Sequence, residues 1–124
     1  MKINEYFKTA KGRGVLATAD SSGKVDVAVY TVPHVIDDGT VAFIMPDKLT
    51  HVNLQSNPQA AYLFTEEEDK FKGVRLFLTK VKEEKDSRKI EEIRRKEYPQ
   101  LKGKEYLLYF RVDKVLPLVG AGAE

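Results

Sequence analysis

The sequence predicts a mainly β, α+β fold, a six-stranded antiparallel β-barrel with short flanking helices. Three observations carry that expectation. Six apolar runs of strand length occupy 15–19, 25–32, 40–45, 60–65, 74–82 and 105–112. Two turn clusters, Asp20-Ser-Ser-Gly23 and Asp37-Asp-Gly39, join the first three runs as tight hairpins, which connect antiparallel neighbours. The second run sets Val25, Val27, Val29 and Thr31 on one face and Ala28, Tyr30 and Val32 on the other, so beyond Asp26 both faces are largely apolar. A strand of that kind suits a closed sheet, and closure removes the edges that apolar strands would otherwise have to protect.

Along the chain, 3–11 places Ile3, Phe7 and Ala10 at helical spacing, with Asn4 as a candidate N-cap and Gly12 and Gly14 closing a short amphipathic helix. Gly23 supplies the positive φ of the first hairpin. Pro33 removes a ladder donor and marks a strand end, edge or bulge, and Pro46 stops the third strand. The polar segment 47–57 reads as a helix with Leu49, Val52 and Leu54 turned inward and Asp47 as a candidate N-cap; Asn57-Pro58 ends it. In the fourth strand Tyr62 and Phe64 alternate with Ala61 and Leu63. In the fifth, Arg75 shares a face with Phe77, Thr79 and Val81. Residues 66–73 form a charged, solvated loop.

Residues 86–97 form a helix with an apolar stripe at Ile90 and Ile93 and with i,i+4 pairs Glu91–Arg95 and Glu92–Lys96, ended by Tyr98-Pro99 and Gly103. Its basic residues Arg88, Lys89, Arg94, Arg95 and Lys96 are balanced by glutamates, which reads as a solvated face. The last strand turns Tyr106, Leu108, Phe110 and Val112 one way and Leu107, Tyr109 and Arg111 the other. A small-residue tail, 116–124, follows with little order of its own.

With 124 residues the chain is expected to be a single domain, 1–124, able to bury about two thirds of its unfolded surface. It contains no cysteine, so disulfides, thiolate metal sites and cysteine nucleophiles are excluded, and two histidines, His34 and His51, give no basis for a metal site. No signal-peptide core and no membrane-length apolar run is present, which makes a cytoplasmic location the expectation. The 21 basic and 19 acidic residues are interspersed, a pattern that argues against nucleic acid as a partner. Glu66 to Asp69 lacks the glycine and alternating oxygens of a calcium loop. Ser21 and Ser22 lie in a turn without a partner histidine in view, so serine hydrolase chemistry has no support.

A strand that feeds a helix N-terminus makes an anion site, because the first amides of the helix lack internal partners. The segment after Pro46 adds a point charge at Lys48 and a hydroxyl at Thr50.

Gly14-Val-Leu-Ala-Thr-Ala-Asp20 followed by Gly23, and the Leu54-Gln-Ser-Asn-Pro58 close of a polar helix before an apolar strand, resemble the pyridoxamine 5'-phosphate oxidase-like FMN-binding split-barrel family, its short single-domain members most of all. The similarity runs over residues 3–115. It implies a split barrel, a homodimer with FMN at the subunit interface, and a small oxidoreductase or electron-transfer protein whose substrate and electron donor are unspecified. Carried onto this chain, the flavin-side contacts fall at Val29, Tyr30 and Thr31, the phosphate corner at Met45, Lys48, Thr50, His51 and Asn53, and Arg75 reaches the phosphate or the flavin pyrimidine oxygens. Read as residues alone, Tyr30 equally suits the core, His51 a capping or solvent-facing position, and Asn53 a tie to the following turn. No residue is singled out as catalytic, since the flavin carries the redox chemistry.

Two departures matter. Thr50 stands where many members carry a lysine or arginine, and no histidine follows His51 while no basic residue follows Lys114. True pyridoxamine phosphate oxidase activity is therefore not expected. The alternative is a non-redox ligand-binding or interaction module on the same barrel, or one that holds haem or a deazaflavin.

Overall fold

The computed structural model describes residues 2–69, 71–85, 87–94 and 104–120. Its elements follow in the order α1 (Ile3–Thr9), β1 (Gly12–Ala19), β2 (Val25–Val29), β3 (His34–Asp37), β4 (Thr40–Pro46), α2 (Leu49–Ser56), β5 (Gln59–Glu66), β6 (Gly73–Glu84), α3 (Ser87–Ile93) and β7 (Glu105–Pro117). All strand pairs are antiparallel, and the seven strands form one sheet in the order β2-β1-β5-β6-β7-β4-β3. No described helix is long and apolar enough to cross a membrane.

The sheet curls around one core. Leu16, Phe43, Met45, Tyr62, Phe64, Leu76, Leu108 and Phe110 line its inner face, α1 closes one part with Ile3 and Phe7, and α2 adds Leu54. A smaller cluster on the opposite face of β4 and β7 joins Ala42, Leu107 and Tyr109 to Ile90 of α3. The alternation read in the fourth and last strands thus sorts their side chains between two faces as the pleat requires.

Seven strands replace the expected six because run 25–32 does not stay in one ladder. β2 pairs with β1 and stops at Val29, residues 30–33 cross the barrel, and β3 starts at His34 against β4. Pro33 has no amide to offer a ladder and Val32 before it is a bend, so the chain leaves one strand pair and joins another. β2 and β3, adjacent in sequence, therefore become the two edges of the sheet. The crossing is anchored from below: Tyr30 N donates to Gly14 O at 3.0 Å, and the Tyr62 hydroxyl reaches the carbonyl oxygens of Tyr30, at 3.1 Å, and Thr31.

Other boundaries shift for local reasons. Lys2 rather than Asn4 holds the N-cap position of α1, and Ala10, in extended geometry, ends it; Gly12 and Gly14 belong to β1. Lys48 rather than Asp47 holds the N-cap position of α2. β7 runs on through Pro117, so the start of the expected tail is strand, paired to β6 up to Val74↔Pro117. In α2, Leu49 and Val52 are more than half exposed, while Thr50, His51, Asn53 and Leu54 are buried. Polar partners on neighbouring strands turn the helix that way: Asn53 Nδ2 donates to Thr18 Oγ1 at 3.1 Å, and His51 meets Glu83. Arg95, Lys96, Tyr98, Pro99 and Gly103, with the two i,i+4 pairs expected there, lie outside the described residues.

Candidate functional site

The split in the ladder leaves a seam. β3 pairs with β4 only as far as His34↔Ala42, so, among the described residues, 43–46 have no strand partner on that side, and β2 has none beyond β1. Between these two half-used strands lies a cavity of about 440 Å³, within the usual size range of small-ligand sites. Ala28 to Val32 form one wall, Phe43, Ile44 and Pro46 the other, and Lys48 and Thr50 sit where α2 begins. The Tyr30 ring stands edge-on to Phe43 with centroids 5.7 Å apart, which fixes the apolar floor.

The polar end is built by α2. Its first internal bond is Val52 N to Lys48 O, so the amides of Leu49, Thr50 and His51 precede that ladder. Thr50 Oγ1 donates to Asp26 Oδ2 at 3.3 Å, and Asp26 comes from the inner side of β2. Burial pushes the Tyr30 phenol up to about 12; a hydrogen bond with Thr50 opposes this and the Asp26 charge adds to it. The phenol is therefore neutral at ordinary pH and serves as a hydrogen-bonding group.

Of the residues singled out in the sequence, Val29, Tyr30, Thr31, Lys48 and Thr50 meet in this cavity. Met45 does not line it: fully buried, it points into the core, and its neighbours Ile44 and Pro46 face the seam instead. Asn53 is buried against Thr18, and His51 is buried against β6. Arg75 does not line the cavity; its Nε donates to Pro117 O at 3.0 Å and Nη2 to Gly120 O at 2.7 Å, tying down the end of β7.

Sequence reading passed over His34 and Arg94, which also line the cavity. Arg94 was expected on a solvated face. Its side chain is instead 9% exposed, held by Glu105 at 2.5 Å and Glu91 at 3.1 Å, and these carboxylates outweigh burial in raising its pKa. The signal was present, since Arg94 is i+4 from Ile90 and so falls on the stripe that Ile90 and Ile93 define. His34 carried no such signal, because its position depends on where the second run breaks.

A larger cleft of about 940 Å³ lies between the end of α1, the start of β1 and the end of β5. It shares Thr31 and Val32 with the seam, but exposed charges of both signs, Lys8, Lys11, Arg13 and Glu67, bound it. The seam has the apolar walls and localised polar end that a planar anionic ligand requires, so it is the better candidate. Among the described residues no group of three or more His, Cys, Asp or Glu side chains could hold a metal ion.

No protein-family model matches the chain, and no curated protein matches it in sequence. Solved structures do match in fold. An FMN-binding protein from Syntrophomonas wolfei subsp. wolfei is similar at 20% identity and a TM-score of 0.76, covering 98% of this chain and 86% of that one. HupZ of Group A Streptococcus is similar at 18% identity and a TM-score of 0.74, covering 95% and 100%. A candidate pyridoxamine 5'-phosphate oxidase from Lactobacillus delbrueckii is similar at 18% identity and a TM-score of 0.68, covering 93% and 89%. These likenesses establish the fold. The chain is a split barrel of the type shared by FMN-binding and pyridoxamine 5'-phosphate oxidase-like proteins.

Proposed function

We propose that the seam cavity holds flavin mononucleotide and that the protein is a small FMN-dependent oxidoreductase or electron-transfer protein, acting as a homodimer. The observation that carries this reading is the meeting of an apolar slot between two half-paired strands with a lysine and a hydroxyl at a helix start. The slot suits a flat ring system: Val29, Val32, Phe43 and Ile44 supply apolar contact, and the unpaired sides of β2 and of residues 43–46 offer backbone groups to a heterocycle's edge. Lys48, Thr50 and the first α2 amides suit the phosphate. When bound, the flavin supplies one- or two-electron redox chemistry; the chain holds and orients it and keeps one side dry.

Purified protein is expected to show flavin absorption bands, or to acquire them on incubation with FMN and desalting, at about one flavin per chain. Lys48→Ala lowers FMN affinity by about tenfold, the loss of a charge-assisted contact, and lowers riboflavin affinity far less. A folded protein that stays colourless and rejects FMN overturns the reading.

A further inference from the structure

His51 is 7% exposed and lies outside the seam cavity, one turn into the helix that presents Lys48 and Thr50 to it. Its ring stacks on Tyr106 with centroids 3.9 Å apart and planes at 14°. Its two nitrogens face two carboxylates: Nε2 is 2.9 Å from Glu83 Oε2 on β6, and Nδ1 is 3.4 Å from Asp47 Oδ1, immediately before Lys48. Gln55 Nε2 donates to Glu83 Oε1 at 2.8 Å and stands 3.1 Å from His51 Nε2. The remaining charges nearby are Lys80 Nζ, 3.6 Å from Glu83 Oε1, and Lys85 Nζ, 5.4 Å from the Tyr106 ring centre.

The hydrogen count decides what this arrangement can do. An imidazolium carries a proton on each nitrogen: the Nε2 proton bonds Glu83, and the Nδ1 proton faces Asp47 across an ion-pair contact. A neutral ring has one proton to give. If Nε2 keeps it, Asp47 faces a lone pair; if Nδ1 keeps it, Nε2 turns to Gln55 and Glu83 loses its imidazole donor. Either way the strut from the turn at 47 through the helix to β6 is cut at one end. We propose that His51 is a proton-linked positioning residue for the seam: doubly protonated, it locks the 47–50 turn so that Lys48 and Thr50 are aimed into the cavity, and loss of one proton loosens that turn. Anion retention in the seam is then coupled to proton uptake and weakens as pH rises. This rests on the reading of the seam as an FMN phosphate site.

The test is FMN and orthophosphate affinity between about pH 6.5 and about pH 8.5, the range around imidazole titration, in the wild type and in His51→Gln. The ligand phosphate's own titration is common to both proteins and cancels in the ratio. Wild-type affinity should fall about fivefold more than that of His51→Gln across this range, a coupling of ordinary allosteric size. Calorimetry in two buffers of different ionisation enthalpy should show more protons taken up per ligand by the wild type than by His51→Gln. If His51→Gln does not fold, Asp47→Asn, at a half-exposed position, should flatten the pH profile in the same way. Equal pH dependence in wild type and variant overturns the inference and leaves the FMN site standing. Failure of the wild type to bind either anion overturns both.

Discussion

Thr50 already holds a partner, and this sets how the proposed anion corner behaves. Its hydroxyl proton goes to Asp26, at a long 3.3 Å. A phosphate arriving at Lys48 must draw that proton from Asp26 and tolerate the carboxylate's charge a few ångströms away. Asp26→Asn should therefore strengthen FMN binding roughly fivefold, the worth of about 1 kcal/mol of like-charge repulsion near a surface, read by flavin fluorescence titration. Weakened binding would mean that Asp26 chiefly orients Thr50. The Tyr30 phenol gives a second prediction with a definite sign. Its folded-state pKa of about 12 lies above the ordinary 10.0, so the unfolded chain releases the proton first and stability falls as pH rises from 10 towards 12. A shift of that size corresponds to roughly 2 to 3 kcal/mol. Denaturant melts at about pH 8 and about pH 11 should show a smaller alkaline loss in Tyr30→Phe than in the wild type. Equal losses would place the destabilisation elsewhere.

At the scale of elements, the seam exists because β2 ends where residues 30–33 are carried across the barrel, and Tyr62 and Gly14 help to hold that crossing. The Tyr62 hydroxyl binds the carbonyl oxygens of Tyr30 and Thr31, and Gly14 leaves room for it: a Cβ there would lie 2.0 Å from Tyr62 Oη and 2.6 Å from Tyr30 O. Tyr62→Phe removes the single hydroxyl proton that these two carbonyls share and should cost about 1 to 3 kcal/mol. Gly14→Ala forces the ring or the crossing to move and should cost at least as much, about 2 kcal/mol or more. If chemical denaturation shows Gly14→Ala to be neutral, the close approach is not a constraint. Strand alternation made this layer partly legible in the sequence, as spacing grouped Tyr62 with Phe64 and Tyr106 with Leu108 and Phe110 on one face of their strands, and that face is the inner one. The break after Val29 was signalled only by Pro33, whose consequence depends on which strand pairs on each side of it. For α2, local apolar spacing pointed to Leu49 and Val52, whereas the buried face is chosen by Thr18 and Glu83, distant in sequence. The same limit applies to the site. Lys48 and Thr50 follow from a helix start, Val29, Tyr30 and Thr31 were placed by the family resemblance, and the facing of Met45 and the place of Arg75 need the sheet register.

At the scale of the whole molecule, the outer face of β2, β1, β5 and β6 is the feature that a lone chain leaves unsatisfied. Register puts Val29, Val15, Leu63 and Arg75 in one cross-strand row and Val27, Ala17, Ala61 and Phe77 in the next. Val25, Val27 and Val29 are 83%, 66% and 68% exposed, too much for a strand that was expected to be apolar because it was enclosed. A largely apolar sheet face of this kind is what the proposed homodimer would use: a second copy of the chain, presenting the same rows about a twofold axis, would cover it with like surface. In such a dimer each substitution appears twice at one interface. Val27→Glu should then turn a dimer into a monomer in light scattering, while Phe71→Glu, also an exposed apolar position but on the loop between β5 and β6, should leave the mass unchanged. Because Val29 belongs both to this face and to the cavity wall, the monomer should also hold FMN less tightly, with Lys48 and Thr50 intact. A Val27→Glu protein that stays dimeric would assign the dimer to another surface, and a monomer with unchanged FMN affinity would mean that one chain alone completes the seam.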